Sequence, residues 1–315
     1  MRTLLALCST VFLLLGSAFA VDAAVPPLPS PVATFDVGSL HVTQYGTPAR
    51  QALIFIPGLT CGPWEWSGQI THFGPQYTIY ALTLPGFDGR PPIGGPLFAT
   101  VTADFWQLLD ERHIVKPIVI GHSLGGTLGF MLATQHPDRL GGVVALDGLP
   151  IFPLALFMQP DALRAMVARA AAQMAAMTTA QFMDYQRTVT LPGYVRSPQD
   201  VEAIAPLVAK SDPAATGRWF QEDVLLDLRP ALPKAAVPIQ LLVPFDAAAD
   251  SQYHIPSAEA KRSFYAGIVK GAPDVTLTVI PDARHFAMYD QPQAVNSAIA
   301  DFLSTSARGP RSEPR

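Results

Sequence analysis

The chain has 315 residues, 49% of them hydrophobic and 15% charged, with a formal net charge of −4 at neutral pH. That length suits one large domain or one domain carrying a sizeable insertion, with enough apolar mass for a buried core. No cluster of Lys and Arg offers a phosphate-binding surface, which argues against a nucleic-acid partner, and the apolar residues are too evenly spread for a transmembrane bundle.

Residues 1–23 read as a signal peptide. Arg2 gives a positive start, an apolar stretch follows from Leu4 to Leu15, and Ala18 and Ala20 have the A-x-A spacing of a cleavage site. A second candidate cut follows Ala23, with Val21 and Ala23 in the two key positions. The apolar run is shorter than the ~20 residues that span a bilayer, which disfavours the alternative of an uncleaved anchor. The expectation is an exported protein, periplasmic or secreted, with no stable membrane insertion once the signal is removed. Cys8 lies inside the signal, behind a Leu7 too large for lipoprotein cleavage. Its loss leaves Cys61 as the one cysteine, so the mature chain forms no internal disulfide and relies on packing.

Residues 24–34 are Pro-rich (Pro26, Pro27, Pro29, Pro31) and read as an extended lead-in without a core of its own. Phe35, Val37, Leu40, Val42 and Tyr45 then alternate, which suits a hairpin turning near Gly38-Ser39. Continuous apolar runs follow at 52–56, 78–82 and 117–121, with another at 142–146 that closes on Asp147. Such runs, with helical stretches between them, mark a parallel sheet covered on both faces. From Pro150 to Pro238 no strong strand appears. Leu163, Met166, Val167, Ala170, Met174 and Met177 fall instead on one helical face. Strands return at 239–243 and 275–280, a closing helix covers about Gln291 to Leu303, and the polar tail 305–315 has the composition of a disordered segment. The expected architecture is an α/β core, 35–149 and 236–304, interrupted by a helical insertion at 150–235.

Gly121-His122-Ser123-Leu124-Gly125-Gly126 matches G-x-S-x-G between a buried strand and a helix expected from about Gly125 to His136. A turn this tight lifts the Ser123 hydroxyl above the sheet in a strained conformation, with glycines where side chains would collide. A serine nucleophile needs a base, and seven histidines are available. His41, His72, His113 and His136 fall in a hairpin, on surface helices or at a helix end. His122 faces away across the turn, and His254 stays open. His285 sits just after the last strand, in Asp282-Ala-Arg-His285-Phe-Ala-Met-Tyr-Asp290-Gln-Pro292, from where it can reach back over the C-terminal edge of the sheet. It is the expected base.

The carboxylate that orients the imidazole is less clear. Asp246, after the strand 239–243, is the first choice, with Asp147 and Asp250 as alternatives. Two backbone N–H groups should hold the oxyanion: Leu124, directly after the nucleophile, and Leu59 in the loop after 52–56, with Thr60 as second choice. Trp64 and Trp66 beside that loop are either core or pocket wall.

With these pieces the chain resembles the α/β-hydrolase superfamily over residues 35–304. The resemblance rests on Ile56-Pro57-Gly58, Leu84-Pro85-Gly86-Phe87-Asp88-Gly89-Arg90, the serine turn, and Arg284-His285-Phe286 with Asp290-Gln-Pro292. It implies a mostly parallel eight-stranded sheet with helices on both faces, a helical lid over 150–235, and no cofactor. Two departures stand out: Pro57-Gly58 replaces the usual His-Gly before the oxyanion loop, and Val243-Pro-Phe-Asp246 lacks the glycine common before the acid. No His/Cys/Asp cluster has metal-ligand spacing. The expected activity is cleavage of a small-molecule carboxylic ester through an acyl-enzyme, since exported members of the superfamily are often esterases. Amidase or aminopeptidase, lactonase and C–C hydrolase activity with the same groups are alternatives, as is a non-catalytic binding protein of the same fold. Epoxide hydrolases and haloalkane dehalogenases carry Asp where this chain has Ser123. Met158, Met166, Met174, Met177, Met183 and Phe182 could wall a substrate pocket or pack the insertion onto the body.

Overall fold

A computed structural model describes residues 25–49 and 51–306. The signal peptide read at 1–23 lies outside the described residues. So does the tail from 307 onward, while Thr305 and Ser306 still belong to the last helix.

Eight strands form one sheet in the order β1-β2-β4-β3-β5-β6-β7-β8. β1 (Ala33–Val37) and β2 (Leu40–Gly46) are the expected hairpin, Val37 opposite Leu40. Pairing starts inside the Pro-rich lead-in, where the Val32 N–H donates to the Gln44 carbonyl at 2.7 Å. β2 runs antiparallel to β4, and every later pairing is parallel. β3 (Ala52–Ile56), β4 (Thr78–Thr83), β5 (Ile118–His122) and β6 (Gly142–Leu146) are buried throughout, as their unbroken apolar runs demand. β7 (Ile239–Phe245) and β8 (Val275–Pro281) extend past the apolar runs that announce them.

The period of two along each strand divides the core. Ile54, Val119, Val143 and Ala145 face one side, with α2 (Leu97–Glu111), α3 (Leu124–Gln135) and α10 (Ala258–Val269) packed there. Leu53, Phe55, Ile120, Val144 and Leu146 face the other, against α1 (Ser67–Phe73) and α12 (Pro292–Ser306). Each of these aliphatic side chains, at most 1% exposed, contributes about 1.5–3 kcal/mol of transfer free energy if it is the size of a Val, Leu, Ile or Phe.

Between β6 and β7 the chain leaves the sheet and forms α4 (Pro160–Ala175), α5 (Thr179–Tyr185), α6 (Leu191–Tyr194), α7 (Pro198–Val208) and α8 (Pro213–Leu225). The helical face read from the sequence is the one α4 turns inward: Leu163 and Val167 are buried, and Met166 packs beside them. Two short helices complete the fold, α9 (Ala247–Ser251) after β7 and α11 (Ala287–Asp290) after β8.

Candidate active site

Ser123 sits between β5 and α3 with φ 51° and ψ −119°, a conformation that side-chain-bearing residues rarely adopt. Such strain costs about 1–3 kcal/mol and persists only where the surroundings over-determine it. Here the Ser123 N–H donates to the Leu146 carbonyl at 2.9 Å, tying the turn to β6. A Cβ at Gly121 would lie 2.1 Å from the Gly125 carbonyl oxygen, the collision expected across the turn. At Gly125 the obstacle is instead the end of β3, where a Cβ would come 2.2 Å from the Ile56 carbonyl oxygen. Both positions exclude any side chain because the facing atoms are backbone and cannot move aside.

His285, in the loop after β8, and Ser123 line the same cavity. The carboxylate on His285 is Asp147, not Asp246: His285 Nδ1 lies 2.6 Å from Asp147 Oδ2. Asp147 closes β6 with φ 48°, and its other oxygen accepts the Tyr265 hydroxyl at 2.6 Å. Burial opposes ionisation of Asp147, but the hydrogen bond and charge of His285 outweigh it and hold the carboxyl well below the usual carboxylate range. For His285, burial and the charge of His122 pull the imidazole below its ordinary value, against the pull of Asp147.

Asp246 is 5% exposed and spoken for. It caps α9 through the Ala249 N–H at 2.9 Å and pairs with Arg196 Nε at 3.0 Å and Arg284 Nε at 3.7 Å. Asp250 accepts the Asp246 N–H at 2.9 Å and pairs with Lys261 at 2.8 Å. The loop bearing His285 is held by Asp290, which accepts the backbone N–H groups of Arg284 (2.8 Å) and Arg196 (2.9 Å). His254 lines the cavity but is exposed, and among the described residues its ring has no hydrogen-bond partner.

The loop after β3 makes a four-residue turn in which the Cys61 N–H donates to the Gly58 carbonyl at 3.2 Å and Thr60 takes φ 68°. Among the described residues, neither the Leu59 nor the Leu124 amide finds an acceptor within the protein. Trp66 is fully buried and Trp64 is 6% exposed, so both belong to the core.

A network that the sequence does not announce underlies both loops. His122 turns away from the nucleophile, as expected, into a site where its side chain and that of Glu65 are 1% and 0% exposed. His122 Nδ1 lies 2.7 Å from Glu65 Oε1, and Nε2 lies 2.9 Å from the His285 carbonyl. Since that carbonyl can only accept, Nε2 carries a proton. The second Glu65 oxygen accepts the Gly58 N–H at 2.9 Å. One carboxylate thus fixes the loop after β3 directly and the His285 backbone through an imidazole. Glu65→Ala leaves His122 and the Gly58 amide buried without their partner. It is expected to cost about 3–5 kcal/mol of stability, read as a lowered midpoint in urea unfolding.

The cavity has a volume of about 730 Å³. Its apolar wall comes from Leu149, Phe152, Leu154, Phe157 and Phe264. The methionines of the insertion do not line it. Met158 and Met166 pack against Leu163 and Val167, Met183 packs against the sheet core, and Phe182 is fully buried. The insertion does reach the cavity through Tyr194 and Asp223, and the Tyr194 ring lies 4.6 Å from that of His285.

A family model described as an alpha/beta hydrolase family matches residues 53–298. The chain is 25% identical over 267 residues to 3-oxoadipate enol-lactonase 2 of Acinetobacter baylyi, spanning 83% of this chain and 91% of that one. It is 26% identical over 271 residues to 2-succinyl-6-hydroxy-2,4-cyclohexadiene-1-carboxylate synthase of an Enterobacter species, 83% of this chain and 95% of that one. Among solved structures it resembles a thermophilic esterase from Thermogutta terrifontis, with TM-score 0.66, 20% identity, and coverage of 87% and 99%.

Proposed function

We propose that this chain, which belongs to the alpha/beta hydrolase family and is a hydrolase of that fold, cleaves carboxylic esters through an acyl-enzyme on Ser123. The observation that carries the reading is the strained Ser123 facing one cavity with a His285 whose Nδ1 is held by Asp147. In that arrangement His285 Nδ1–H donates to the carboxylate and leaves Nε2 to accept the serine proton. Ser123 Oγ attacks the ester carbonyl, and the Leu59 and Leu124 amides take up the charge that develops on its oxygen. His285 passes the proton to the leaving alkoxide, then takes a proton from water as that water attacks the acyl carbon, and returns it to Ser123 Oγ as the acyl–oxygen bond breaks and the carboxylic acid leaves. Asp147 stays ionised throughout, stabilising the imidazolium, and the Tyr265 hydroxyl holds its second oxygen. A hydroxyl nucleophile sets the chain apart from epoxide-opening relatives, whose chemistry needs a carboxylate at that position.

A lactone is the second reading, favoured by the enol-lactonase relative, since a lactone is an ester closed on itself. Turnover of p-nitrophenyl butanoate, a δ-lactone and an aminoacyl p-nitroanilide by the purified protein separates the readings. The expected order of kcat/KM is ester, then lactone, then anilide. Lactone hydrolysis alone would move the assignment to a lactonase, and anilide cleavage alone to an amidase.

A further inference from the structure

Three carboxylates line the cavity around Ser123, and two of them are matched. Asp147 is taken by His285 and Tyr265, and Asp250 by Lys261 and the Asp246 amide. The third is Asp223, in the last turn of α8. Among the described residues it has no ion pair, and the one side chain against it that can donate is Thr127. Burial pushes its carboxyl up to about 7, with Thr127 the one group working against the rise. The Leu149 carbonyl also lies 2.9 Å from the Thr127 hydroxyl oxygen, so the two acceptors compete for its single proton.

Among the described residues the one Lys or Arg on the cavity wall, Lys261, is spent on Asp250 at 2.8 Å. Once Asp223 ionises, above about pH 7, the cavity carries an uncompensated negative charge, and Phe152, Phe157, Tyr194 and Phe264 line the same cavity. A carboxylate without an ion pair in a cavity with aromatic walls attracts an alkylammonium, through charge and through the ring quadrupoles. It repels a carboxylate, which would enter a low-dielectric space beside a like charge.

We propose that Asp223 is the specificity-determining group of the cavity and that the preferred ester carries an alkylammonium on its acyl chain. Asp223 and Ser123 line one cavity, and Thr127, the side chain against Asp223, lies one helical turn beyond Ser123 on α3. One turn rises about 5.4 Å, a span that roughly five chain bonds cover, and this sets the length of the probe. This assignment rests on the ester reading above for the identity of the reacting group, but the binding of the cation does not.

The test compares three p-nitrophenyl esters of similar size: 5-(trimethylammonio)pentanoate, the neutral 6,6-dimethylheptanoate, and the monoester of adipate. In the wild-type protein the ratio of kcat/KM for cationic over neutral ester is expected to be about tenfold or more, with the anionic ester slowest. In Asp223→Asn that ratio falls to about one and the anionic ester gains, whereas Asp223→Glu keeps part of the preference. Equal ratios in wild type and Asp223→Asn overturn the proposal. Calorimetric titration of butyltrimethylammonium into both proteins separates this failure from failure of the ester reading. Binding that is lost in Asp223→Asn upholds the cation site even if no ester is turned over. No binding to the wild type, or equal binding to both folded proteins, overturns it.

Discussion

Ser123→Ala and His285→Ala are each expected to lower kcat by about 10⁶-fold, and the double variant should be no slower than either single one. The reason is that the two side chains act as a unit. Without the base the hydroxyl is not deprotonated, and without the hydroxyl the base has nothing to activate. A fluorophosphonate probe should label wild-type protein at Ser123 and leave Ser123→Ala unlabelled, as read by mass spectrometry. Activity that survives in Ser123→Ala at near wild-type rate would place the nucleophile elsewhere. The same pair sets the acid limb of the pH profile. His285 works as base only when neutral, and burial together with the charge of His122 holds its pKa below the ordinary 6.5. Activity is therefore lost as pH falls through a midpoint under 6.5 and rises to its plateau above it. A limb centred above pH 7 would contradict the burial of this imidazole.

Asp147→Asn should lower kcat/KM by about 10⁴-fold while leaving the protein folded, because an amide at that position favours the wrong imidazole tautomer and no longer stabilises its charged form. Asp246→Asn should behave in the opposite way. Its carboxylate caps α9 and meets Arg196, which is 43% exposed, so the expected loss is about 1–2 kcal/mol of stability with kcat near wild type. The comparison is decisive because the two residues close neighbouring strands. If Asp246→Asn were the inactive variant, the acid would belong to β7 and the 2.6 Å contact of His285 with Asp147 would have no catalytic meaning.

The reason the acid was not legible from the chain lies in what surrounds each candidate. Both aspartates stand at strand ends on the same edge of the sheet, and spacing alone favoured the one after β7. The sheet register pairs Leu146 with Leu242, so Asp147 leaves β6 alongside Val243 while β7 runs on to Phe245. Asp246 emerges further out, where Arg196 from the helical insertion and Arg284 from the β8 loop meet it. Asp147 instead meets Tyr265 and His285, from 118 and 138 residues away in sequence. Glu65 and His122 are similarly distant, 57 residues apart, and nothing local marks either as a partner of the other. The cavity wall followed the same rule. The methionines drew attention by composition, but which apolar side chains face a cavity depends on how α4 docks, and that is a property of the packed insertion.

What the sequence determined by itself was whatever depends on local physics. Unbroken apolar runs of about five residues became buried strands inside the sheet, because both faces of such a strand need cover. Glycines flanking Ser123 announced a turn that no side chain permits. The position of His285 after the last strand, before a helix-forming stretch, put it at the sheet edge where Ser123 also emerges. Tertiary structure alone decided the partners of the charges: which aspartate His285 reaches, which glutamate anchors His122, and which carboxylate is left unmatched in the cavity. Charge pairing is settled by atoms brought within about 3 Å across long stretches of chain. Periodicity and spacing carry no record of those distances.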